Sequence, residues 1–201
     1  EWELYWDRLL TPEDFNTANA ASPDGHIRVP SAWKGSIGKV QLSDKGAATY
    51  RLKVRLSEAK KAMGIKTNSI RMSSRIFIDG IEVLSSGNPA ISKEAGYVMA
   101  NTPYSTAFYP QNREVEIIVQ VADYDFREGG IVQSIYLGTQ ADIYMMAAHN
   151  NFLNVFLAAC LFITGLYYLF VFLGRRKDLS VLYYSAYALT FSVFEIMYGE
   201  K

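Results

Sequence analysis

Residues 152–173, FLNVFLAACLFITGLYYLFVFL, run for 22 positions without a charged side chain. A hydrocarbon core of about 30 Å takes about 20 apolar residues as a helix, so this run is long enough to cross a bilayer. Gly174-Arg175-Arg176-Lys177 follows at once, and a basic cluster after a span marks its cytoplasmic end. The first 150 residues are therefore expected outside the cell. A second apolar stretch, 179–198, is interrupted only by Glu195, and residues 174–178 read as a tight cytoplasmic turn between two spans. Glu195 sits near the outer end of the second span. There it reaches interfacial water, the blander and favoured reading, or serves as a carboxylate that couples helices.

The whole-chain averages hide this division. Half of the 201 residues are hydrophobic and the net charge is zero, yet 16 of the 20 Lys and Arg and 17 of the 20 Asp and Glu precede Gly174. The N-terminal region is thus nearly neutral, which argues against nucleic acid as a partner. A region of about 140 residues is large enough to bury its own core. The single cysteine, Cys160, lies inside the apolar run, so the outer region has neither disulfides nor thiol chemistry nor cysteine-ligated metal. The chain opens with Glu1-Trp2-Glu3 rather than a basic and then apolar leader, and a removed signal is the expectation. Two spans followed at once by Glu200-Lys201 likewise suggest truncation.

The outer region reads as antiparallel β. Between Thr49 and Leu56, Tyr50, Leu52, Val54 and Leu56 alternate with Arg51, Lys53 and Arg55, the period of a sheet with one wet face. From Glu114 to Ala122, Val115, Ile117, Val119 and Val121 alternate with Glu114, Glu116 and Gln120. Ser74–Ile78 and Ile81–Leu84 flank Asp79-Gly80, a strong hairpin signal because a type I′ turn needs φ > 0 at both central residues. Shorter strands are expected at His26–Val29, Met63–Lys66, Ser105–Phe108 and Gln133–Leu137. Glu58–Met63 suits a helical turn, Trp2–Leu10 an ordered N-terminal segment, and Gln140–Asn151 a short juxtamembrane helix. Many short strands with polar turns point to a sandwich. The loop from Ser85 to Pro103 is too long for a simple hairpin, and loops of that length are often functional.

Little here suggests catalysis. His26 and His149 are the only histidines, too few for a multi-histidine metal centre. Neither cofactor, metal site nor catalytic set is expected. Ala122-Asp123-Tyr124-Asp125-Phe126-Arg127-Glu128-Gly129-Gly130 mixes rings, carboxylates and an arginine in one loop. Such a set suits hydrogen bonds to polyol hydroxyls and stacking on apolar sugar faces. The structural alternative, slightly favoured, is a turn in which Asp123 caps local amides and the two glycines allow a bend. Trp33 and Arg51 could line the same end, although Trp33 suits a core equally well and Arg51 a solvated strand face. The candidate ligand-binding residues are thus Trp33, Arg51, Asp123, Tyr124 and Arg127.

Two resemblances bring these motifs together. Val29-Pro30-Ser31-Ala32-Trp33, Gly46-Ala47-Ala48-Thr49-Tyr50-Arg51-Leu52, Ile76-Phe77-Ile78-Asp79-Gly80 and Val119-Gln120-Val121-Ala122-Asp123-Tyr124 resemble the galactose-binding-like jelly roll of family 2 glycosidases. There a P-x-x-W, a T-Y-R strand and a V-N-G turn recur in this order, with Asp79 here in place of the usual asparagine. Gly165-Leu166-Tyr167-Tyr168, Arg175-Arg176-Lys177-Asp178 and Leu182-Tyr183-Tyr184 resemble the opening of the bacterial seven-transmembrane receptors with diverse intracellular signalling modules. Those proteins place a jelly-roll sensor outside seven helices and a histidine kinase, cyclic-nucleotide enzyme or phosphatase inside.

The resemblances imply a mainly β chain, a galactose-binding-like jelly-roll sandwich followed by two transmembrane helices. The expected parts are a sensor over 1–143, a linker over 144–151, spans at 152–173 and 179–198, and the turn at 174–178. The implied role is ligand sensing at a bacterial cell membrane, with the N-terminal domain extracytoplasmic and any catalytic output beyond residue 201. The expected partners are a small polar or carbohydrate-like ligand and the lipid bilayer, with homodimerisation left open. The alternatives are a membrane-anchored protein-docking module and, more remotely, a tethered glycosidase fragment.

Overall fold

The computed structural model describes residues 1–16, 21–174, 176 and 178–197. Arg175 and Lys177 of the basic turn, and Tyr198 at the expected end of the second span, lie outside the described residues. The chain divides into two compact units, Glu1–Ile143 and Tyr144–Lys201.

The first unit is built from β1 (Trp2–Trp6), the short helix α1 (Pro12–Phe15), β2 (Gly25–Ile27), β3 (Ser36–Ile37), β4 (Val40–Gln41), β5 (Gly46–Arg55) and β6 (Met63–Thr67). It continues through β7 (Ser73–Ile78), β8 (Ile81–Ser86), a 3-10 turn (Lys93–Ala95), β9 (Tyr104–Phe108), β10 (Glu114–Asp123) and β11 (Ile135–Thr139). A six-stranded sheet has the order β2-β1-β5-β10-β7-β8 and a three-stranded sheet the order β11-β6-β9, while β3 and β4 form a separate ribbon. All pairings are antiparallel. After β5 the chain crosses to the small sheet for β6, returns for β7 and β8, crosses again for β9, inserts β10 between β5 and β7, and crosses back for β11. This is a jelly-roll sandwich.

Alternation fixes which face of each strand is inside. Tyr50 on β5, Val115, Ile117, Val119 and Val121 on β10 and Ile65 on β6 meet in one core between the sheets, with Trp33 and Ile131 contributed by loops. Asp79 and Gly80 both adopt positive φ, 47° and 84°, as the type I′ turn requires. The remaining expected strands all form, within one or two residues of their expected ends. Glu58–Met63 departs from expectation, because its residues make bends and the start of β6 rather than a helical turn.

The outer face of the large sheet is covered as well. Tyr5, Phe77 and Ile118 pack there with Phe15 of α1 in a second cluster. Thr49 Oγ1 receives the Leu10 N–H at 2.8 Å and donates to the Arg8 carbonyl, and Gln120 Nε2 donates to the Leu10 carbonyl. These bonds strap residues 8–10 across the sheet and deliver Phe15 to its apolar patch.

Two ends of the sandwich follow from strand register. Thr139 pairs with Met63, which pairs with Phe108, so β11, β6 and the end of β9 meet where Gln140 begins. The opposite end is marked by Thr67 paired with Ile135 and Tyr104, and by the Arg71–Gly130 bridge. We call these the helix end and the loop end.

In the second unit, α2 is one helix from Gln140 to Gly174, with no break between the expected juxtamembrane piece and the expected span. The segment holds neither proline nor glycine before Gly165, so nothing interrupts its backbone ladder. Together with α3 (Leu179–Met197), it is long and apolar enough to cross a membrane. The two helices meet on small residues. Ser185, Ala188 and Ser192 of α3 and Ala158 of α2 are buried, Ser185 Oγ donates to the Gly165 carbonyl and Ser192 Oγ donates to the Ala158 carbonyl, each at 2.9 Å. Glu195 lies three residues beyond Ser192 on the same face and is half-buried.

Candidate functional site

The structure keeps Asp123, Tyr124 and Arg127 together at the loop end, buries Trp33 in the core beneath the same loop's double glycine, and places Arg51 on the outer face of the large sheet. Trp33 is fully buried in the core. Its Nε1 donates to the Tyr50 hydroxyl at 2.6 Å and its ring meets Trp6 edge-on. Gly129 and Gly130 lie against it, and a Cβ at Gly129 would come within 2.4 Å of the indole. The double glycine is there to let a loop pass over a tryptophan. Arg51 sits on the outer face of the large sheet, bonded to Glu116 at 2.6 Å and Glu3 at 3.3 Å, with its guanidinium 4.5 Å from the centre of the Phe15 ring. Its donors are committed within the fold.

Asp123, Tyr124 and Arg127 share the loop that leaves β10. Asp123 is fully buried, and its Oδ1 accepts the N–H groups of Asp125 and Phe126 at 3.1 and 2.9 Å. That is the amide-capping turn open to an aspartate at this position. Its Oδ2, equally buried, has no partner among the described residues. The Tyr124 hydroxyl donates to the carbonyls of Ala90 and Ile91. Arg127 is exposed.

Sequence reasoning missed what covers this loop. Residues 88–98 fold back as a strap, closed by the Asn88–Val98 bridge. It is tied to the β10 loop by the Lys93–Asp125 ion pair and by the edge-on contact of Tyr97 with Tyr124 at 5.1 Å. The Tyr97 hydroxyl is a second buried polar atom without a partner among the described residues. Arg71 stacks 4.0 Å from the centre of the Phe126 ring, which remains 43% exposed. The length of the 85–103 loop is the only sequence signal that could have drawn attention to the strap.

Several phenols here resist ionisation. Burial pushes Tyr97 up to about 12, the backbone of nearby Tyr124 opposes that shift, and the carboxylates of Asp123 and Asp125 raise it further. Burial first, then the hydrogen bond and charge of Glu3, push Tyr5 up to about 12 against the opposing pull of Arg51. Burial raises Tyr50 despite hydrogen bonds from Trp33 and the Ile131 backbone. A raised phenol favours the fold in its neutral form. Its contribution is complete below the unfolded value near 10 and is lost as pH rises through the folded value. Denaturant stability followed by circular dichroism should therefore be flat from pH 8 to about 9.5 and fall between about 10 and 12. Tyr97→Phe should make that fall shallower, and an unchanged slope would contradict the assignment.

No group of three or more His, Cys, Asp or Glu among the described residues could hold a metal ion.

The fold and this loop end define a class: a jelly-roll sandwich followed by two apolar helices. No protein-family model matches the sequence, and no curated protein matches it. Solved structures do. A GH2 beta-galacturonidase from Eisenbergiella tayi bound to galacturonate is 16% identical with a TM-score of 0.46, over 69% of this chain and 23% of that one. A putative beta-galactosidase from Bacteroides fragilis is 14% identical with a TM-score of 0.44, over 68% and 21%. A beta-glucuronidase from Parabacteroides merdae with glycerol in its active site is 10% identical with a TM-score of 0.47, over 68% and 20%. This chain thus spans about a fifth of the length of each of these enzymes.

Proposed function

We propose that this chain is the ligand-sensing portion and first two membrane helices of a bacterial transmembrane signalling receptor of the histidine-kinase or a similar type. The sandwich lies outside the cytoplasm, and its loop end binds a small polar, carbohydrate-like ligand. The observation that carries this reading is a pair of buried polar atoms without a partner among the described residues, Asp123 Oδ2 on the β10 loop and Tyr97 Oη on the strap tied to it. A buried carboxylate oxygen without a partner is costly, and a hydroxyl-bearing ligand supplies a donor to one atom and an acceptor to the other. The ligand can shift the receptor only by the difference in its affinity for two states. Opening and closing of the strap supplies two such states.

The test is thermal unfolding of the full chain in lipid nanodiscs against a panel of mono- and disaccharides. At least one should raise the midpoint saturably, and Asp123→Asn or Phe126→Ala should reduce that rise about ten-fold in affinity, the equivalent of about 1.4 kcal/mol. Ligands that stabilise both variants as well as the parent would remove the loop end from the reading.

The second reading, a protein-docking module, is favoured by the exposed apolar side chains at the same end. Ile91, Val98 and Met99 on and beside the strap are each more than half exposed. Saccharide-insensitive unfolding, together with a protein partner released by Val98→Glu, would select it.

A further inference from the structure

A second feature lies at the helix end, about as far from Asp123 as the sandwich allows. Between the β7–β8 hairpin and the segment that follows β9 is a cleft of ≈ 630 Å³, within the size range of small-molecule sites. It opens at the seam where the outermost strands of the two sheets, β8 and β9, lie side by side without pairing. Ile78, Ile81, Val83 and Phe108 give it an apolar wall, and Asp79, Gln111 and Asn112 stand among the lining residues with Tyr109.

The polar groups are unspent. Asp79 Oδ1 accepts the Glu116 N–H at 2.9 Å, leaving its second oxygen available, and the exposed carboxamides of Gln111 and Asn112 make no hydrogen bond with the described residues. The ring of Tyr109 is 57% exposed, yet it is held, because its hydroxyl donates to the Lys60 carbonyl at 2.5 Å. A fixed exposed ring costs little ordering entropy when a ligand lies on it. Two planar carboxamides and a carboxylate beside such a ring are the groups that bond to adjacent hydroxyls while an apolar face stacks.

We infer that this cleft is a second binding site, and that it takes a neutral or amine-bearing sugar ring stacked on Tyr109 with its hydroxyls on Asp79, Gln111 and Asn112. Asp79 is the only carboxylate in the lining, so its charge disfavours uronates. The site is independent of the loop end, and it has a direct connection to α2. The Lys60–Ala62 segment that anchors Tyr109 also accepts the Gln140 N–H, through the Ala62 carbonyl at 3.1 Å. A ligand on the ring therefore bears on the residues that receive the first N–H of the helix.

The experiment is saturation-transfer NMR on the full chain in lipid nanodiscs, since glycoside detergents would compete. The probes are the methyl glycosides of glucose, galactose, glucosamine and glucuronic acid. A neutral or amine-bearing glycoside should bind saturably and the glucuronoside more weakly. Tyr109→Ala and Gln111→Ala should each weaken binding about ten-fold. Tyr109→Phe, which keeps the ring, should bind within about two- to three-fold of the parent, so a folding defect is separated from a lost stacking face. Absence of binding by all four probes would overturn the inference, as would binding indifferent to Tyr109→Ala. Binding that survives Tyr109→Ala but not Asp123→Asn would leave the loop-end reading standing and refute the cleft.

Discussion

Trp33→Ala should lower the unfolding free energy of the β unit by about 3–5 kcal/mol, the usual range for truncating a large buried aromatic. The whole stability of such a domain is about 5–15 kcal/mol. The indole is fully buried, and three things depend on it: the bond to the Tyr50 hydroxyl, the edge contact with Trp6, and the seat of Gly129 and Gly130. Removing it leaves a cavity, a phenol that has lost its indole donor and an unsupported loop. Chemical denaturation reads the loss. Trp33→Phe separates its parts, keeping most of the volume while removing the indole donor to Tyr50, and should cost about 0.5–1.5 kcal/mol. An alanine variant within about 1 kcal/mol of the parent would show that the core closes over the gap, contrary to the close packing described above.

The second large effect is expected at Gly64. A Cβ there would lie 2.8 Å from the Ile143 Cβ and 3.0–3.1 Å from its two γ carbons. These atoms sit at the root of a β-branched side chain and cannot swing away. Gly64→Val should therefore cost about 1–3 kcal/mol by overpacking and lift the first turn of α2 from the sheet. Amide exchange would detect this as lost protection over residues 141–147. Gly138 faces Gly64 across the strand pair, yet a Cβ there would meet Ile143 only at 3.8 Å. Gly138→Ala should thus be nearly silent. Equal effects at the two glycines would mean that Ile143 is not what Gly64 makes room for.

The sequence was legible where apolar inner residues alternate with polar side chains along a strand. β5 and β10 alternate because their inner residues share one core, and Asp79-Gly80 announced its turn through a backbone requirement that few residue pairs meet. β1 was not legible as a strand. Trp2, Leu4 and Tyr5 are all buried, because α1 covers the outer face of the sheet that the core leaves free, and alternation vanishes when both faces are dry. The same cover explains Arg51. Its partners Glu3 and Glu116 are 48 and 65 residues away, a separation that no local pattern encodes. Asp123, Tyr124 and Arg127 came together because they are neighbours in sequence. The strap over them, and the cleft at the other end, depend on segments brought together only by the completed fold.

The contact between α2 and α3 has one more consequence. Both serine bonds across it end on main-chain carbonyls, those of Gly165 and Ala158. At these two points α3 reads backbone, which is the same whatever the residue, while Tyr184 meets the Tyr168 ring edge-on at 4.8 Å. Most of α2 is therefore free to drift among apolar side chains to suit the thickness and composition of its lipid. Bulk is forbidden where it would hold a serine off: at Gly165, where a Cβ would come within 2.7 Å of Leu189, and at Ala158, which is already buried. Two vacancies and one edge-on pair of rings, Tyr168 against Tyr184, specify the hairpin.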